Sequence, residues 1–118
     1  MKAFNKFKII SSYINDFIID SETKIKSIDN IYTIEFKFIK RFSHYQKKNN
    51  IDKLEETIDK ASEYLKPDNA ILKLLKHNLM ADVLSQNNNE LLKKYTDKYN
   101  TSIDQPNPQL IKTNNIKI

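Results

Sequence analysis

Five carboxylates lie between residues 52 and 63, and side chains of this type can hold a metal cation. Glu55, Asp59 and Glu63 are four residues apart, so a helix would place them on one side, with Asp52 and Glu56 close by. Metal sites in helical bundles also use a Glu-x-x-His pair, and none accompanies this ladder. The stretch therefore favours a solvated acidic helix face, and we expect neither a metal nor a cofactor.

Residues suited to catalysis are sparse in this chain. His44 and His77 are its only histidines, and neither has a serine or a carboxylate at a recognisable catalytic spacing. The chain has no Cys, which excludes a thiolate nucleophile and Cys-ligated zinc. It also has no Gly, which phosphate-binding loops and strained nucleophile turns need. We therefore expect a protein that is not an enzyme, with no catalytic, cofactor-binding or metal-binding residues.

Cations recur at steps of three and four between residues 37 and 48, so a helix would collect them on one side. Tyr45 lies among them, and basic and aromatic side chains together are suited to contacting phosphates or acidic protein. We call this set the basic stripe; its members are Lys37, Lys40, Arg41, His44, Lys47 and Lys48.

The net charge of +5 is weaker evidence for nucleic-acid binding than its value suggests. Of the 20 basic residues only Arg41 is arginine, the residue that reads bases and binds phosphate with a forked pair of donors. Heavy use of Lys, Ile and Asn is also what an AT-biased genome produces. The ten basic and five acidic groups of residues 1–48 give +5, whereas the two basic and five acidic groups of residues 49–65 give −3. Packing the acidic helix beside the basic one is the simplest use of both.

The start of the chain has the periodicity of an amphipathic helix, predicted here from Phe4 to Ile19. Its apolar side would face a core. The alternative is a helix that lies on a membrane surface, because lysines stand opposite its phenylalanines. The apolar residues that define the pattern are Phe7, Ile10, Ile14 and Phe17, with Ile18 adjoining.

Residues 23–39 support two interpretations. Apolar and polar residues alternate from Tyr32 to Phe38 as they would in a half-buried strand, and Asp29 and Asn30 would turn a hairpin. Polar residues also recur at helical steps from Asn30 to Lys48. We favour a helix over Ile25 to Lys48, because the polar stripe continues beyond the end of the alternation.

The second half of the chain shows clearer helix boundaries. One helix is predicted to begin at Asp52, as the first residue of a capping box, and to end at Pro67. The next begins at Asp68 or Asn69, and a short last helix follows residues 87–89. The asparagines expected to end helices, in the left-handed conformation that Gly usually provides, are Asn49, Asn50, Asn87 and Asn100. The apolar positions of the two longer helices are Leu54, Ile58, Ala61, Leu65, Ile71, Leu72, Leu75, Leu79 and Val83.

These patterns predict an all-α fold, a small bundle of four to five helices. The alternative is an α+β fold in which a hairpin at residues 23–39 packs on the C-terminal helices. We expect a single helical domain over residues 1–100 and an extended or disordered tail over residues 101–118. No stretch is long enough to span a bilayer and no secretion signal is evident, so we expect a cytoplasmic location.

Two resemblances point to protein binding. Residues 38–67 resemble one tetratricopeptide-type helical repeat, which implies a protein-binding groove. In size, charge and helix count the chain is also similar to the immunity proteins that protect bacteria from their own bacteriocins, an analogy of architecture alone. The residues whose spacing carries the first resemblance are Phe38, Tyr45, Leu54, Ile58 and Ala61, with Pro67 at the end.

We therefore expect a non-enzymatic protein–protein interaction module, that is, a small regulator, adaptor or immunity-type factor. The candidate contact surface is the basic stripe together with Tyr95 and Tyr99, which we expect to be exposed, because aromatic and basic side chains dominate interface hot spots. The alternative is a nucleic-acid-binding accessory protein that uses the basic stripe, with an affinity that falls steeply with salt. A homo-oligomer is compatible with both hypotheses.

Overall fold

The computed structural model describes residues 2–99 of the chain, and the side chains of residues 10–99. The regular structure of this part is all helical, so the predicted all-α fold is confirmed and the hairpin alternative is wrong. None of the helices described is both long and apolar enough to cross a membrane. The five helices are α1 (Lys2–Glu22), α2 (Ile31–Lys47), α3 (Ile51–Tyr64), α4 (Ala70–Ser85) and α5 (Asn89–Tyr99).

The helix predicted from Ile25 begins only at Ile31. Asn30 is its N-cap, and the Asn30 side chain accepts a hydrogen bond of 2.9 Å from the backbone N–H three residues on. Just before it, Asp29 Oδ2 accepts one of 2.7 Å from the backbone N–H of Lys26, across a turn. Short polar side chains that bond to nearby backbone compete with helix formation, which accounts for the later start.

Asparagines end and begin the helices, as the lack of Gly predicted. Asn49 and Asn87 have φ of 54° and 53°, the left-handed conformation expected of residues that follow helices. Asn50 has φ of −94° and is the N-cap of α3, so the prediction that Asn50 ends a helix in the left-handed conformation is wrong, and so is the prediction that Asp52 caps α3. The Asn69 side chain accepts hydrogen bonds from the first backbone N–H groups of α4, at 2.8 and 3.0 Å. Asn100 lies outside the described residues.

The chain divides into two compact units, the first extending to Leu75 and the second beginning at Lys76, so that α4 starts in one and ends in the other. In the first unit α2 packs against α3 and α1 packs against α2. Its buried apolar residues are Phe38, Phe42, Tyr45, Leu54, Ile58, Ala61, Leu65, Leu72 and Leu75, which confirms the predicted stripe of α3.

The second unit has a small apolar core of its own. Leu79, Met80 and Val83 of α4 and Tyr95 of α5 are fully buried. The tail predicted over residues 101–118 lies outside the described residues, and the single domain over residues 1–100 stays a prediction.

Candidate interaction surface

The first two cations of the basic stripe are bound to acids that precede α2. Lys37 Nζ donates to Asp29 Oδ2 at 2.7 Å and to the backbone oxygen of Lys24 at 2.8 Å. Lys40 Nζ lies 3.0 Å from Glu22 Oε1 at the end of α1. The hydrogen bonds from Lys37 and from the Lys26 backbone lower the pKa of Asp29 below its ordinary value of 3.8, despite the cost of burial. Both lysines therefore hold α2 to the segment before it.

Arg41 is the buried cation of the stripe, with 5% of its surface exposed. Its Nε donates to Asp20 Oδ1 at 3.1 Å, its Nη1 to Thr57 Oγ1 at 2.8 Å and its Nη2 to Glu56 Oε2 at 3.0 Å. Burial opposes ionisation of Glu56, but the charges of Arg41 and Lys53 and their hydrogen bonds hold the pKa of Glu56 below its ordinary 4.5. The guanidinium fork thus joins α1, α2 and α3.

Tyr45 is a second buried group of α2 that bonds to α1. Its hydroxyl donates to Asp20 Oδ1 at 3.0 Å, and its ring lies 5.3 Å from the guanidinium carbon of Arg41. Burial and the nearby Asp20 carboxylate raise the pKa of Tyr45 well above its ordinary 10.0. One oxygen of Asp20 therefore accepts hydrogen bonds from two buried side chains of α2.

Asp16, one turn earlier in α1, contacts two further members of the basic stripe. Its Oδ1 lies 2.8 Å from His44 Nε2 and 2.6 Å from Lys48 Nζ, and Lys48 Nζ also donates to Ser12 Oγ at 2.7 Å. Burial raises the pKa of Asp16, but the hydrogen bonds and charges of Lys48 and His44 outweigh it and bring the pKa below 3.8. This cluster fixes the middle of α1 against the end of α2.

The basic stripe is consequently an internal junction. The acidic helix α3 does lie beside the basic α2 and supplies Glu56 and Thr57 to the stripe, and further carboxylates come from α1 and the turn after it. Lys47 is the one member that is exposed and has no ion pair within the part of the chain described here. The spacing of the basic stripe correctly predicted that its members share one side of a helix. It did not predict that carboxylates of α1 neutralise the stripe.

The expectation that Tyr95 is exposed is wrong. Tyr95 is fully buried and Tyr99 is half-buried, and the two rings stack with centroids 6.2 Å apart. Lys94 lies over the Tyr95 ring at 4.9 Å, and Lys98 and Lys76 lie over the Tyr99 ring at 5.5 and 5.6 Å. The position of both aromatics on one side of α5 was predicted, but that side is the packed one.

A different surface was missed: an apolar strip on α1 that faces solvent. We call it the outer face of α1. Its residues are spaced at three and four, so they share one side of the helix, whereas Ser12 and Asp16 lie outside the strip and Asp20 borders it beside Tyr13. The exposed fractions are 54% for Ile10, 70% for Tyr13, 52% for Ile14, 70% for Phe17 and 44% for Ile18.

The prediction from the sequence placed four of these residues against a core: Ile10, Ile14, Phe17 and Ile18. The signal that distinguishes the two orientations is the spacing of the acids: Asp16 and Asp20 are four residues apart in α1, and their partners Arg41, His44 and Lys48 also follow one another at steps of three and four. Two polar sides with matching periods pack together here, which leaves the apolar side of α1 outward.

Apolar residues are also exposed on α2, but they form a less continuous set. Tyr32 is 77% exposed and Phe36 61% exposed, and Ile39 follows at 37%. Glu35 lies between them at helical spacing, where its carboxylate accepts a hydrogen bond of 2.8 Å from Asn69 Nδ2. A charge within this set makes it a poorer apolar contact than the outer face of α1.

An open cleft of about 480 Å³ lies in the first unit, with Phe38 and Tyr64 forming an aromatic wall. Three cations and three carboxylates line it, so it has no net charge to select an ionic ligand. Within residues 10–99, moreover, no three His, Asp or Glu side chains come together as a metal site would require.

No protein-family model, curated protein or solved structure matches this chain. The resemblances to a tetratricopeptide-type repeat and to immunity proteins therefore stay interpretations of the sequence.

Proposed function

We propose that this chain is a non-enzymatic protein-binding module whose contact surface is the outer face of α1. The observation that supports the proposal is the orientation of α1, which uses its polar side for the junction with α2 and leaves five large apolar side chains in solvent. Isolated exposed apolar residues are normal on a soluble protein, but a continuous strip is typical of an interaction site.

The partner that fits this strip is a protein surface that is itself apolar and elongated, such as an amphipathic helix or a groove between helices. Tyr13 and Phe17 are the expected anchors, because large aromatic side chains contribute most of the energy at protein interfaces. Regulator, adaptor and immunity factor are all compatible with this partner chemistry. A cytoplasmic location stays a prediction.

The alternative of nucleic-acid binding has less support than the sequence suggested. Five of the six members of the basic stripe are engaged with carboxylates, so displacing those carboxylates would oppose phosphate binding. A stripe that is neutralised internally contributes little to the release of counterions on which such binding depends.

Photo-crosslinking tests the proposal. A photoreactive phenylalanine analogue is placed at Phe17 in one version of the full chain and at Asn15, which is exposed on the same helix outside the apolar strip, in another. When the chain is irradiated inside the cells that produce it, we expect covalent adducts with protein if the analogue is at position 17, and few adducts if it is at position 15. Adducts with nucleic acid alone, or equal yields at the two positions, would contradict the proposal.

Arg41 and Tyr95 are unsuitable positions for a test of binding, because both are buried and their substitution would disturb the fold. Lys47→Glu provides the matched test of the basic alternative, since Lys47 is exposed and outside the ion-pair network within residues 10–99. Protein binding through α1 is expected to be unchanged in this variant.

A further inference from the structure

We infer that the partner on the outer face of α1 is a second copy of this chain, bound by antiparallel packing of the two α1 helices across a twofold axis. This inference rests on the proposed function and names its partner. It follows from the charge, the geometry and the area of the strip.

Charge is the first argument. A chain with a net charge of +5 repels its own copies, so self-association needs a patch without charge. From residue 10 to residue 22 the charged side chains of α1 are Asp16, Asp20 and Glu22, and all three are paired with α2. The outer face itself carries no ionic group, and two copies can therefore meet there without like-charge repulsion.

The charged residues of α1 also favour a protein over a lipid surface as the partner of the outer face. A helix that lies in a membrane interface has lysines or arginines beside its apolar side, where they meet anionic headgroups. Between residues 10 and 22, α1 has no basic residue at all, and its charges are acidic. This part of the helix therefore offers no cation beside the strip to attract anionic headgroups.

Symmetry is the second argument. In a twofold pair residue i of one copy meets residue j of the other and j meets i, so only a residue on the axis meets its own counterpart. Ile14 lies midway between Ile10 and Ile18, four residues from each, and all three are exposed. An axis at Ile14 sets Ile10 of one copy opposite Ile18 of the partner subunit, and places the two Ile14 side chains in contact.

Area is the third argument. Two aromatic and three isoleucine side chains at these exposures offer on the order of 600 Å² per copy, so a pair buries at most about 1,200 Å², at the lower end of specific interfaces. We therefore expect a reversible dimer, dissociating in the micromolar range, whose strength does not fall as salt is added.

Sedimentation equilibrium of the purified full chain tests this inference. Dimer formation is expected in the wild type, with the association constant reduced at least tenfold by Ile14→Glu, because the new charge would be buried at the axis. Asn15→Glu adds the same charge to the same helix outside the strip and is expected to change the constant less than about threefold. A wild type that remains monomeric at 100 µM, or equal effects of the two variants, would overturn the inference.

Disulfide formation gives an independent readout, since the chain has no Cys of its own. Under mild oxidation Ile14→Cys should form a covalent dimer much faster than Asn15→Cys, in low salt and in 0.5 M NaCl alike. Circular dichroism and the urea midpoint of each variant show that the helices are retained, so loss of dimer is not loss of fold.

The crosslinks from position 17 separate the failure of this inference from that of the proposed function. Adducts of twice the 14.0 kDa chain mass support the second copy. Adducts with a different protein and none with itself would overturn the second copy and leave the protein-binding function in place. Binding to vesicles of anionic lipid that Ile14→Glu abolishes, with no protein adduct, would overturn both.

Discussion

Arg41 Nε donates to Asp20 Oδ1 across 3.1 Å, and this contact determines which side of α1 faces the body of the first unit. An amphipathic helix normally packs with its apolar side inward, because burying that side removes the most apolar surface from water. In this chain the polar side of α1 is inward, since it brings carboxylates to a buried guanidinium that would otherwise be incompletely paired. The outward apolar strip is the consequence.

Arg41→Met should destabilise the first unit by about 2 kcal/mol, which is below the roughly 3–5 kcal/mol for removing one partner of a buried ion pair because Asp20 and Glu56 are partly exposed. Methionine keeps most of the apolar stem of the arginine, so the loss of stability reflects mainly the missing hydrogen bonds and charge of the guanidinium group. Urea denaturation followed by circular dichroism measures it. Lys47→Met is the control on the same helix, and it should change stability by less than about 0.5 kcal/mol.

Stability should fall as the medium becomes acidic. Asp16, Asp29 and Glu56 each have a pKa lowered in the folded chain, so they bind protons more readily when unfolded. Their contribution is complete above their ordinary values of 3.8 and 4.5, and it is lost as the pH falls through the lower folded values. Urea midpoints measured between pH 7 and pH 2.5 should therefore decline, and Asp16→Asn should reduce the decline. An identical pH profile for this variant would show that Asp16 is not part of the effect.

The helices and most of their buried residues were predictable because they depend on local periodicity. The stripe Leu54, Ile58, Ala61 and Leu65 follows from spacing alone, and each member is buried. The start of α2 was not predictable from periodicity. The side chains of Asp29 and Asn30 form hydrogen bonds with nearby backbone groups that compete with helix formation, and a periodic pattern carries no information about this competition.

The orientation of α1 was not predictable from α1 alone. Its apolar side and its polar side are equally regular in sequence, and the choice between them depends on residues 20 to 30 positions away, such as Arg41 and His44. The prediction that Tyr95 is exposed was wrong for a related reason. A periodic aromatic pair shows which side of α5 is apolar, but it does not show whether another helix covers that side.

Asn49 should respond oppositely to two small substitutions. With φ of 54° it occupies the left-handed region, where a Cβ atom costs about 1 kcal/mol unless the side chain is Asn or Asp. Asn49→Ala should therefore lower stability by roughly that amount, whereas Asn49→Gly should leave it unchanged or raise it slightly. The urea midpoints of the two variants at neutral pH make the comparison, and equal loss in both would indicate that the Asn49 side chain, not its backbone, stabilises the junction of α2 and α3.

Tyr95→Ala should destabilise the second unit by about 3 kcal/mol, because it removes a fully buried ring and leaves a cavity beside the core of α4 and α5. Tyr32→Ala is the matched control: it deletes the same ring from a position that is 77% exposed and should cost less than about 0.5 kcal/mol. Amide hydrogen exchange of α5 gives the most direct measurement, with protection lost in the first variant and kept in the second. Retained protection in Tyr95→Ala would mean that this ring contributes little to the second unit, and the residue could then be reconsidered as part of a binding surface.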